Sequence, residues 1–439
     1  MTDLPALLAE TPYRSYTYAY PHKTAYRPLA APVPLGDLWA AEDRGALFLY
    51  IHVPFCEMRC GFCNLFTLAN PHEDLATTYL ATLTRQAQRV QAAIGPAQFA
   101  RLAIGGGTPT YLTVPELHRL FDLVADCYGV DLAATPISVE TSPGTATPDR
   151  LAALRERGVD RISIGVQSFV AAEAQAAGRA QQTAVVTAAL AHIRAAGFPI
   201  LNVDLIYGLP GQTVASWCDS LRAALRFAPE ELYLYPLYTR PLTGLGRHAR
   251  GGADIRLACY RAGRDLLLAA GYTQVSMRMF RAAGAPADAG PVYCCQEDGM
   301  VGLGCGARSY TRGLHYSNEY AVGAAGVRAI LAAYLARPDA AFAVAGYGYR
   351  LGADDQRRRY VIQSLLQVEG LALAAYRRRF GSDVWEDLPA LQQLAPCGLA
   401  VASDDRLQLT AAGLERSDTI GPWLYSPAAV ALMEAYEPR

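Results

Sequence analysis

Three cysteines lie close together directly after a run of apolar residues. Cys56, Cys60 and Cys63 have the spacing CxxxCxxC, and the apolar run 47–53 before them predicts a buried strand. Thiolates with this spacing on one short loop can ligate three irons of a [4Fe–4S] cluster, which leaves the fourth iron open for an added ligand. The spacing therefore predicts a cluster that binds a second molecule at its open iron.

Two other interpretations of the three cysteines stay open at this point. They could bind zinc with a distant fourth ligand, or they could be small buried residues. A disulfide framework is not expected, because a chain of 439 residues can form a stable core without disulfide bonds and its N-terminus has no secretory signal. An open iron favours S-adenosylmethionine (SAM) as its ligand, since one electron from the cluster can cleave the sulfonium to a 5′-deoxyadenosyl radical.

The composition predicts a folded protein without a general affinity for polyanions. Hydrophobic residues make up 52% of the chain and charged residues 18%, so a sizeable core can form. The formal net charge of −1 gives no electrostatic case for nucleic acid or anionic lipid. No apolar segment reaches the length of a membrane span. Ten cysteines without a secretory signal indicate a reducing compartment, and we expect the cytoplasm.

Strands and helices alternate from residue 47 to residue 270, which predicts an α/β fold. The predicted strands are 47–53, 101–104, 136–140, 161–166, 199–207 and 231–235, and the predicted helices are 74–93, 115–127, 148–157, 214–227 and 255–270. Such βα units form a parallel sheet, open or curled into a partial (β/α)6 TIM-like barrel. Functional residues then gather where the strands end.

Polar and glycine residues follow several of these strands. The segment 105–110, GGGTPT, follows the second strand, and its glycines allow a ligand to approach the backbone closely. Glu140 and Gln167 end the next two strands, and Arg179 can pair with a carboxylate. Asp204 lies within an apolar strand, so it is either a ligand contact or part of a buried ion pair. Each residue alone has an ordinary structural explanation, but together they would cluster on one rim.

The rest of the chain is divided by composition. We predict an N-terminal arm over 1–45 without clear periodicity, a barrel over 46–290, a glycine-rich connector over 291–344 that completes the active site, and a mainly helical, winged-helix-like domain over 345–439. His52 is expected to be a core histidine. Cys294, Cys295 and Cys305 are a poor ligand set for a second cluster, and the arginines 357–359 are expected to form a solvated helix face.

Five segments of the chain closely resemble those of a known enzyme family. They are LYIHVPFCEMRCGFC, IGGGTPTYL, ISVETSP, RISIGVQSF and NVDLIYGLPGQT. Segments of this kind, in this order, are similar to the oxygen-independent coproporphyrinogen III oxidase family of radical SAM enzymes, which includes heme-chaperone-like proteins and class C methyltransferases. The resemblance is strongest from residue 47 to residue 213.

The resemblance implies a role for each matching residue. It implies that Cys56, Cys60 and Cys63 ligate the cluster and that Tyr50 packs beside the cluster and SAM. The implied SAM contacts are Gly106, Gly107, Thr108, Glu140, Gln167, Arg179 and Asp204. Asp204 would also face a second SAM, whose site Leu237, Tyr238 and Ala307 would line. Tyr50 and Asp204 are thus the candidate catalytic residues.

The sequence also departs from the family pattern. Coproporphyrinogen oxidases carry a fourth cysteine two residues after the third, where this chain has Leu65. The departure favours a radical SAM enzyme that modifies a C–H or sp² carbon of a small molecule or peptide, with a second SAM as a methyl or methylene donor. Coproporphyrinogen III oxidation and a heme-chaperone role are the alternatives. The resemblance implies a flavodoxin-, ferredoxin- or reductase-type electron donor, a monomer, and no nucleic-acid or membrane partner.

Overall fold

The computed structural model describes residues 4–17, 19–247, 253–287 and 292–438. The strands in chain order are β1 (Arg27–Pro34), β2 (Leu47–Val53), β3 (Phe55–Cys56), β4 (Leu68–Ala69), β5 (Phe99–Gly106), β6 (Ile137–Thr141), β7 (Arg161–Gln167), β8 (Ile200–Tyr207), β9 (Glu231–Pro236), β10 (Tyr272–Gln274), β11 (Met279–Ala282), β12 (Met300–Leu303), β13 (Arg308–Tyr310), β14 (Leu314–Ser317), β15 (Val344–Arg350), β16 (Leu371–Ala372), β17 (Ala400–Ala402) and β18 (Arg406–Leu409).

The helices in chain order are α1 (Leu4–Glu10), α2 (Leu35–Trp39), α3 (Glu73–Ile94), α4 (Val114–Tyr128), α5 (Pro148–Glu156), α6 (Ala171–Ala176), α7 (Thr183–Ala195), α8 (Val214–Leu225), α9 (Gly244–Arg247), α10 (Arg256–Ala269), α11 (Ala324–Leu335), α12 (Ala353–Leu365), α13 (Leu373–Phe380), α14 (Val384–Asp387), α15 (Ala411–Leu414), α16 (Ser417–Trp423) and α17 (Pro427–Glu434). Short 3-10 helices cover Lys23–Ala25, Pro109–Tyr111, Asp339–Ala343 and Pro389–Gln393. Within the described ranges, no helix is both long and apolar enough to cross a membrane.

Six parallel strands form the centre of the molecule, in the order β2-β5-β6-β7-β8-β9. Helices α3 to α8 connect them, so each strand end faces the same side of the sheet. The apolar side chains of these strands are buried, and β2 and β8 are the most continuously apolar of them. The predicted α/β partial-barrel core is confirmed, with strand ends one or two residues from the predicted positions.

The connector adds a strand that the sequence analysis did not predict. In the region expected to be a glycine-rich loop, β12 pairs in parallel with β2, with Gly302 opposite Tyr50. Gly302 allows this because a Cβ there would lie 2.1 Å from the carbonyl oxygen of Arg308. The pairing brings the connector beside the cysteine loop.

The N-terminal arm is more regular than expected. It contains α1, β1 and α2, and β1 pairs antiparallel with β15 at the edge of the sheet. The prolines of β1 argue against a strand in the sequence, because proline has no backbone N–H to donate. A strand at the edge of a sheet tolerates them because one side of its backbone needs no partner. Leu4, Leu7, Tyr20 and Tyr26 of the arm share a buried core with the C-terminal residues.

The C-terminal part has the helix-and-hairpin content of a winged helix. Helices α12, α13 and α14 precede the hairpin β17–β18, in which Ala402 is opposite Leu407. A short strand, β16, precedes α13 and pairs with β18. The four-part division of the chain at residues 45, 290 and 344 stays a prediction.

Candidate active site

The three cysteines lie on the loop between β2 and α3, beside a cavity of about 950 Å³. Each thiol has a polar neighbour. Thr108 Oγ1 donates to Cys56 Sγ at 3.7 Å, Arg179 Nη1 donates to Cys60 Sγ at 3.2 Å, and Cys63 Sγ lies 3.7 Å from Thr67 Oγ1. All three thiols line the cavity, so they face one shared space.

Glycines allow the loop to pack closely against its surroundings. A Cβ on Gly61 would lie 2.7 Å from the carbonyl oxygen of Ala177, and one on Gly107 would lie 2.4 Å from that of Phe55 and 3.0 Å from Cys56 Sγ. A real Cβ essentially never lies that close to a carbonyl oxygen. Neither position therefore accepts a side chain without a shift of the backbone. The geometry of the thiol loop therefore depends on both glycines.

The donor set fits an iron–sulfur cluster. Among the described residues, no three His, Cys, Asp or Glu side chains are arranged to hold a single metal ion. Three soft thiols on one loop beside a roomy cavity suit a larger iron–sulfur group. Burial raises the pKa of Cys56 to about 12, with Thr108 opposing the shift. Burial also raises the pKa of Cys60, and the Arg179 guanidinium opposes this increase. Binding of metal by these thiols therefore releases protons.

Glu140 lies at the end of β6 and faces the glycine segment. Its Oε2 accepts a hydrogen bond from the backbone N–H of Gly106 at 2.9 Å, and a Cβ on Gly105 would lie 2.8 Å from the Glu140 carboxyl carbon. Desolvation by the surrounding protein raises the pKa of Glu140 to about 7, with the Gly106 N–H opposing the shift and Asp204 adding to it. Gly106, Gly107 and Thr108 line the same cavity.

Gln167 and Arg179 lie beside each other at the end of β7. Gln167 has a left-handed φ of +70° at an irregularity in the β7–β8 pairing, which redirects its side chain toward the cavity. Arg179 donates to the carbonyl of Gly165 at 2.6 Å and to Gln181 Oε1 at 2.6 Å, in addition to Cys60. The guanidinium thus connects the strand end to the cysteine loop.

Asp204 is held by hydrogen bonds. Its carboxylate accepts from Asn202 Nδ2 at 2.8 Å and from Ser163 Oγ at 3.3 Å. Burial raises the pKa of Asp204, with Asn202 and Arg161 opposing the shift. The residue lines the cavity. Of the two alternatives that the sequence left open, this placement favours a ligand contact.

Tyr50 and His52 form a chain of hydrogen bonds behind the cysteine loop. His52 Nε2 lies 2.9 Å from the carbonyl oxygen of Phe66, so it carries the proton, and Nδ1 accepts from the Tyr50 hydroxyl at 3.2 Å. Burial lowers the pKa of His52 to about 4, so the ring is neutral. His52 is buried as expected, yet its ring also borders the cavity.

Two of the three residues assigned to a second SAM site line the cavity. Leu237 and Tyr238 follow β9 and border it, whereas Ala307 is buried and its neighbours Gly306 and Arg308 border it instead. The late cysteines are not among the lining residues. Cys294 and Cys295 contact Gln296 Oε1, and Cys305 is fully buried.

The arginines of α12 were expected to form a solvated helix face, but each of them also contacts another part of the protein. Arg357 pairs with Asp387 at 3.0 Å, Arg358 pairs with Asp354 at 2.8 Å, and Arg359 donates to the carbonyl of Gln296 at 3.2 Å. None of the three lines the cavity described above.

Several residues that border the cavity were not among the site residues assigned from the sequence. They are Tyr16, His22 and Lys23 of the arm, Tyr235 within β9, Arg240 after β9, and Arg308 at the start of β13. A histidine and a lysine beside prolines and tyrosines resemble any surface segment. Only the position after β9, for Arg240, marks a strand end of the kind that collects functional residues.

The parallel sheet carries a CxxxCxxC loop after its first strand and glycine and polar residues at the next strand ends. This combination defines a radical SAM enzyme. The radical SAM superfamily model matches residues 50–224, and the HemN C-terminal domain model matches residues 351–415. The chain is 30% identical to an oxygen-independent coproporphyrinogen III oxidase of Bradyrhizobium diazoefficiens, over 82% of this chain and 84% of the relative. It is 32% identical to the heme chaperone HemW of Escherichia coli, over 60% and 69%.

The fold of the whole chain also has a solved counterpart. The structure of coproporphyrinogen III oxidase (HemN) from Escherichia coli matches with a TM-score of 0.78 and 24% identity, over 97% of this chain and 99% of that one. The chain belongs to the oxygen-independent coproporphyrinogen III oxidase-like family of radical SAM enzymes. Its cofactors are a [4Fe–4S] cluster and SAM, as predicted.

The affinity for SAM is expected to fall as the pH decreases through about 7, the pKa to which desolvation raises Glu140. SAM carries a sulfonium and an ammonium, so it favours the charged carboxylate and is disfavoured by the protonated one. One linked proton gives at most about a tenfold change in affinity per pH unit. Calorimetric titration of the reconstituted protein between pH 6 and 8 measures this slope. Glu140→Gln cannot ionise and should flatten it, and an equal slope in that variant would assign the effect to another group.

Proposed function

We propose that this protein cleaves SAM reductively and uses the radical to modify a C–H or sp² carbon of a small molecule or peptide. The observation that carries the proposal is the direct contact of Arg179 with Cys60 and with the end of β7. This guanidinium joins the thiol loop to the residues that would hold SAM, so both cofactors would meet at one place.

Each residue group would have a distinct task. Cys56, Cys60 and Cys63 would ligate the cluster, which supplies the electron for SAM cleavage when bound. The backbone of 106–108 would accommodate the methionine part of SAM, because its glycines expose N–H and C=O groups. Glu140, Gln167 and Arg179 would bind the remaining polar groups of SAM. Tyr50, positioned by neutral His52, would pack beside them.

A second SAM is part of the proposal. Asp204, Leu237 and Tyr238 border the cavity, whose volume of about 950 Å³ lies at the upper end of the range of about 300–1,000 Å³ for ligand pockets. A second SAM there would serve as a methyl or methylene donor. We further propose that a flavodoxin-, ferredoxin- or reductase-type protein supplies the electron and that the chain acts as a monomer.

Coproporphyrinogen III oxidation is a second candidate function. The relatives that carry this name align over most of both chains, for instance over 91% and 90% at 28% identity for that of a Synechocystis strain. Against it stands Leu65, which lies two residues after Cys63, borders the cavity and is 45% exposed. Its alkyl side chain cannot replace a thiol in proton or electron transfer.

The test is anaerobic reconstitution with iron and sulfide, followed by incubation with SAM and dithionite and by mass spectrometry. Release of 5′-deoxyadenosine supports the proposal, and S-adenosylhomocysteine beside it supports a second SAM as donor. Consumption of added coproporphyrinogen III with release of CO2 favours the second candidate. A reconstituted protein that binds heme but never cleaves SAM overturns the proposal and favours a chaperone role.

A further inference from the structure

Lys23 is the only lysine among the 39 lysine and arginine residues of the chain, and it borders the cavity beside the cysteine loop. It begins the 3-10 helix Lys23–Ala25, whose N-cap His22 accepts a hydrogen bond from the backbone N–H of Thr24 at 3.3 Å. Because this helix lies in the N-terminal arm, the arm contributes a cation to the cavity at the ends of the barrel strands.

The ammonium group is held in place by an aromatic ring. Lys23 Nζ lies 3.7 Å from the centroid of the Tyr320 ring, and the Tyr320 hydroxyl donates to the carbonyl of Asn64 at 2.6 Å. Asn64 directly follows Cys63. The ring contact therefore places the Lys23 ammonium beside the segment that follows the cysteine loop.

Two arginines border the same part of the cavity. Arg240 follows β9 and Arg308 begins β13, and their guanidinium carbons lie 5.4 Å and 5.7 Å from the rings of Tyr238 and Tyr310. Burial lowers the pKa of Lys23, and the charges of Arg308 and Arg240 lower it further, while Cys63 opposes the shift. The same three cations contribute to the lowered pKa of His22, after burial. Cations that repel one another in a cavity are stabilised by a bound anion.

Carboxylates also border the cavity, and most of them accept hydrogen bonds from the protein. Glu140 accepts from Gly106, Glu57 accepts from Ser142 Oγ at 3.1 Å, and Asp204 accepts from Asn202. These are the strand ends to which SAM is assigned. Glu319, which is exposed, also borders the cavity. Glu140, Glu57 and Asp204 are thus engaged by hydrogen bonds near the strand ends, whereas Lys23, Arg240 and Arg308 belong to the arm and to later segments of the chain.

We propose that Lys23, Arg240 and Arg308 form an anion subsite that binds a carboxylate or phosphate group of the substrate. The three residues are called the cationic wall below. This inference rests on the proposed function and names the substrate class: a molecule whose anionic group binds the cationic wall while its reacting carbon points toward SAM. Guanidinium groups bind carboxylate and phosphate through paired hydrogen bonds, and the ammonium adds a compact charge.

The single lysine makes the subsite directly measurable. Acetic anhydride acetylates only unprotonated amines, and mass spectrometry of the Lys23 peptide separates this reaction from that of the N-terminus. An anion on the cationic wall covers the amine and keeps it protonated, so it should slow acetylation. Inorganic phosphate and succinate, each compared with sodium chloride at equal ionic strength, separate a phosphate from a carboxylate ligand.

We expect phosphate or succinate to slow acetylation of Lys23 in the reconstituted protein by about fivefold at several times its dissociation constant. Arg240→Gln and Arg308→Gln should each reduce this protection to less than about twofold, because each removes a donor to the anion. Arg119→Gln, which alters an exposed arginine of α4, is the matched control and should keep full protection.

Protection no greater than that by chloride would overturn the subsite, and so would unchanged protection in both cavity variants. The anion that protects more strongly identifies the substrate's anionic group. The labelling requires no SAM cleavage. Failure to form 5′-deoxyadenosine would therefore contradict the proposed function alone. Absence of protection by phosphate or succinate in the unaltered protein would contradict the subsite alone.

Discussion

Cys60→Ala is expected to abolish formation of 5′-deoxyadenosine from SAM. The substitution removes one of three proposed iron ligands and the acceptor of the Arg179 hydrogen bond at 3.2 Å. The loss should exceed about 100-fold, since even outer partners of a metal ligand change affinity or activity by about 10–100-fold. Iron and sulfide content after reconstitution, together with mass spectrometry of the nucleoside products, measures the effect.

Cys127→Ala is the matched control for this experiment. Cys127 is a free, partly buried cysteine of α4 and does not line the cavity. Its variant should bind iron and cleave SAM like the unaltered protein. If Cys60→Ala retained both its iron content and its 5′-deoxyadenosine, the assignment of the three cysteines would be wrong. Equal losses in both variants would instead indicate a general effect of removing a thiol.

Asp418→Asn is expected to cause the largest loss of stability. Asp418 of α16 is 1% exposed, and its Oδ2 pairs with Arg278 and accepts from the Tyr238 hydroxyl at 2.5 Å. Arg278 also lies under Tyr16 of the arm, with 3.9 Å between its guanidinium carbon and the ring centroid. Breaking one side of a buried pair costs about 3–5 kcal/mol, because the remaining charge is buried without compensation.

Thermal unfolding of the two single variants and of the double variant tests this ion pair. Arg278→Met should destabilise by a similar amount, and Asp418→Asn with Arg278→Met should lose less than the sum, because no charge is left unpaired. Asp219→Asn is the matched control, since Asp219 pairs with Arg222 at the surface and contributes about 0–1 kcal/mol. Additive losses in the double variant would contradict an energetically coupled pair.

The same ion pair connects stability with the cavity. Tyr238 and Tyr16 both border the cavity, and both contact the Arg278–Asp418 pair. Helix α16 near the C-terminus therefore supports a wall of the candidate active site. Asp418 contacts Tyr238 directly and Tyr16 by way of Arg278. Nothing in the local sequence around Asp418 indicates this, because its partners are 140 and 180 residues distant in the chain.

The barrel core and the cysteine loop could both be predicted from the sequence. Local patterns specify these features: buried apolar residues recur along each parallel strand, and the cysteine spacing is set by the ligands of one loop. The glycines at 105–107 and the polar ends at Glu140 and Gln167 follow the same logic, because strand ends in a parallel sheet meet on one side.

The distant segments that complete the cavity could not be predicted from the sequence, because long-range strand pairing brings them there. Lys23 reaches it because β1 pairs with β15, and Arg308 reaches it because β12 pairs with β2. Ala307, which the family resemblance implied would line the second SAM site, is buried, and its neighbours Gly306 and Arg308 border the cavity instead. Pairing between strands hundreds of residues apart depends on the burial of both partners and on edge geometry, which local periodicity does not encode.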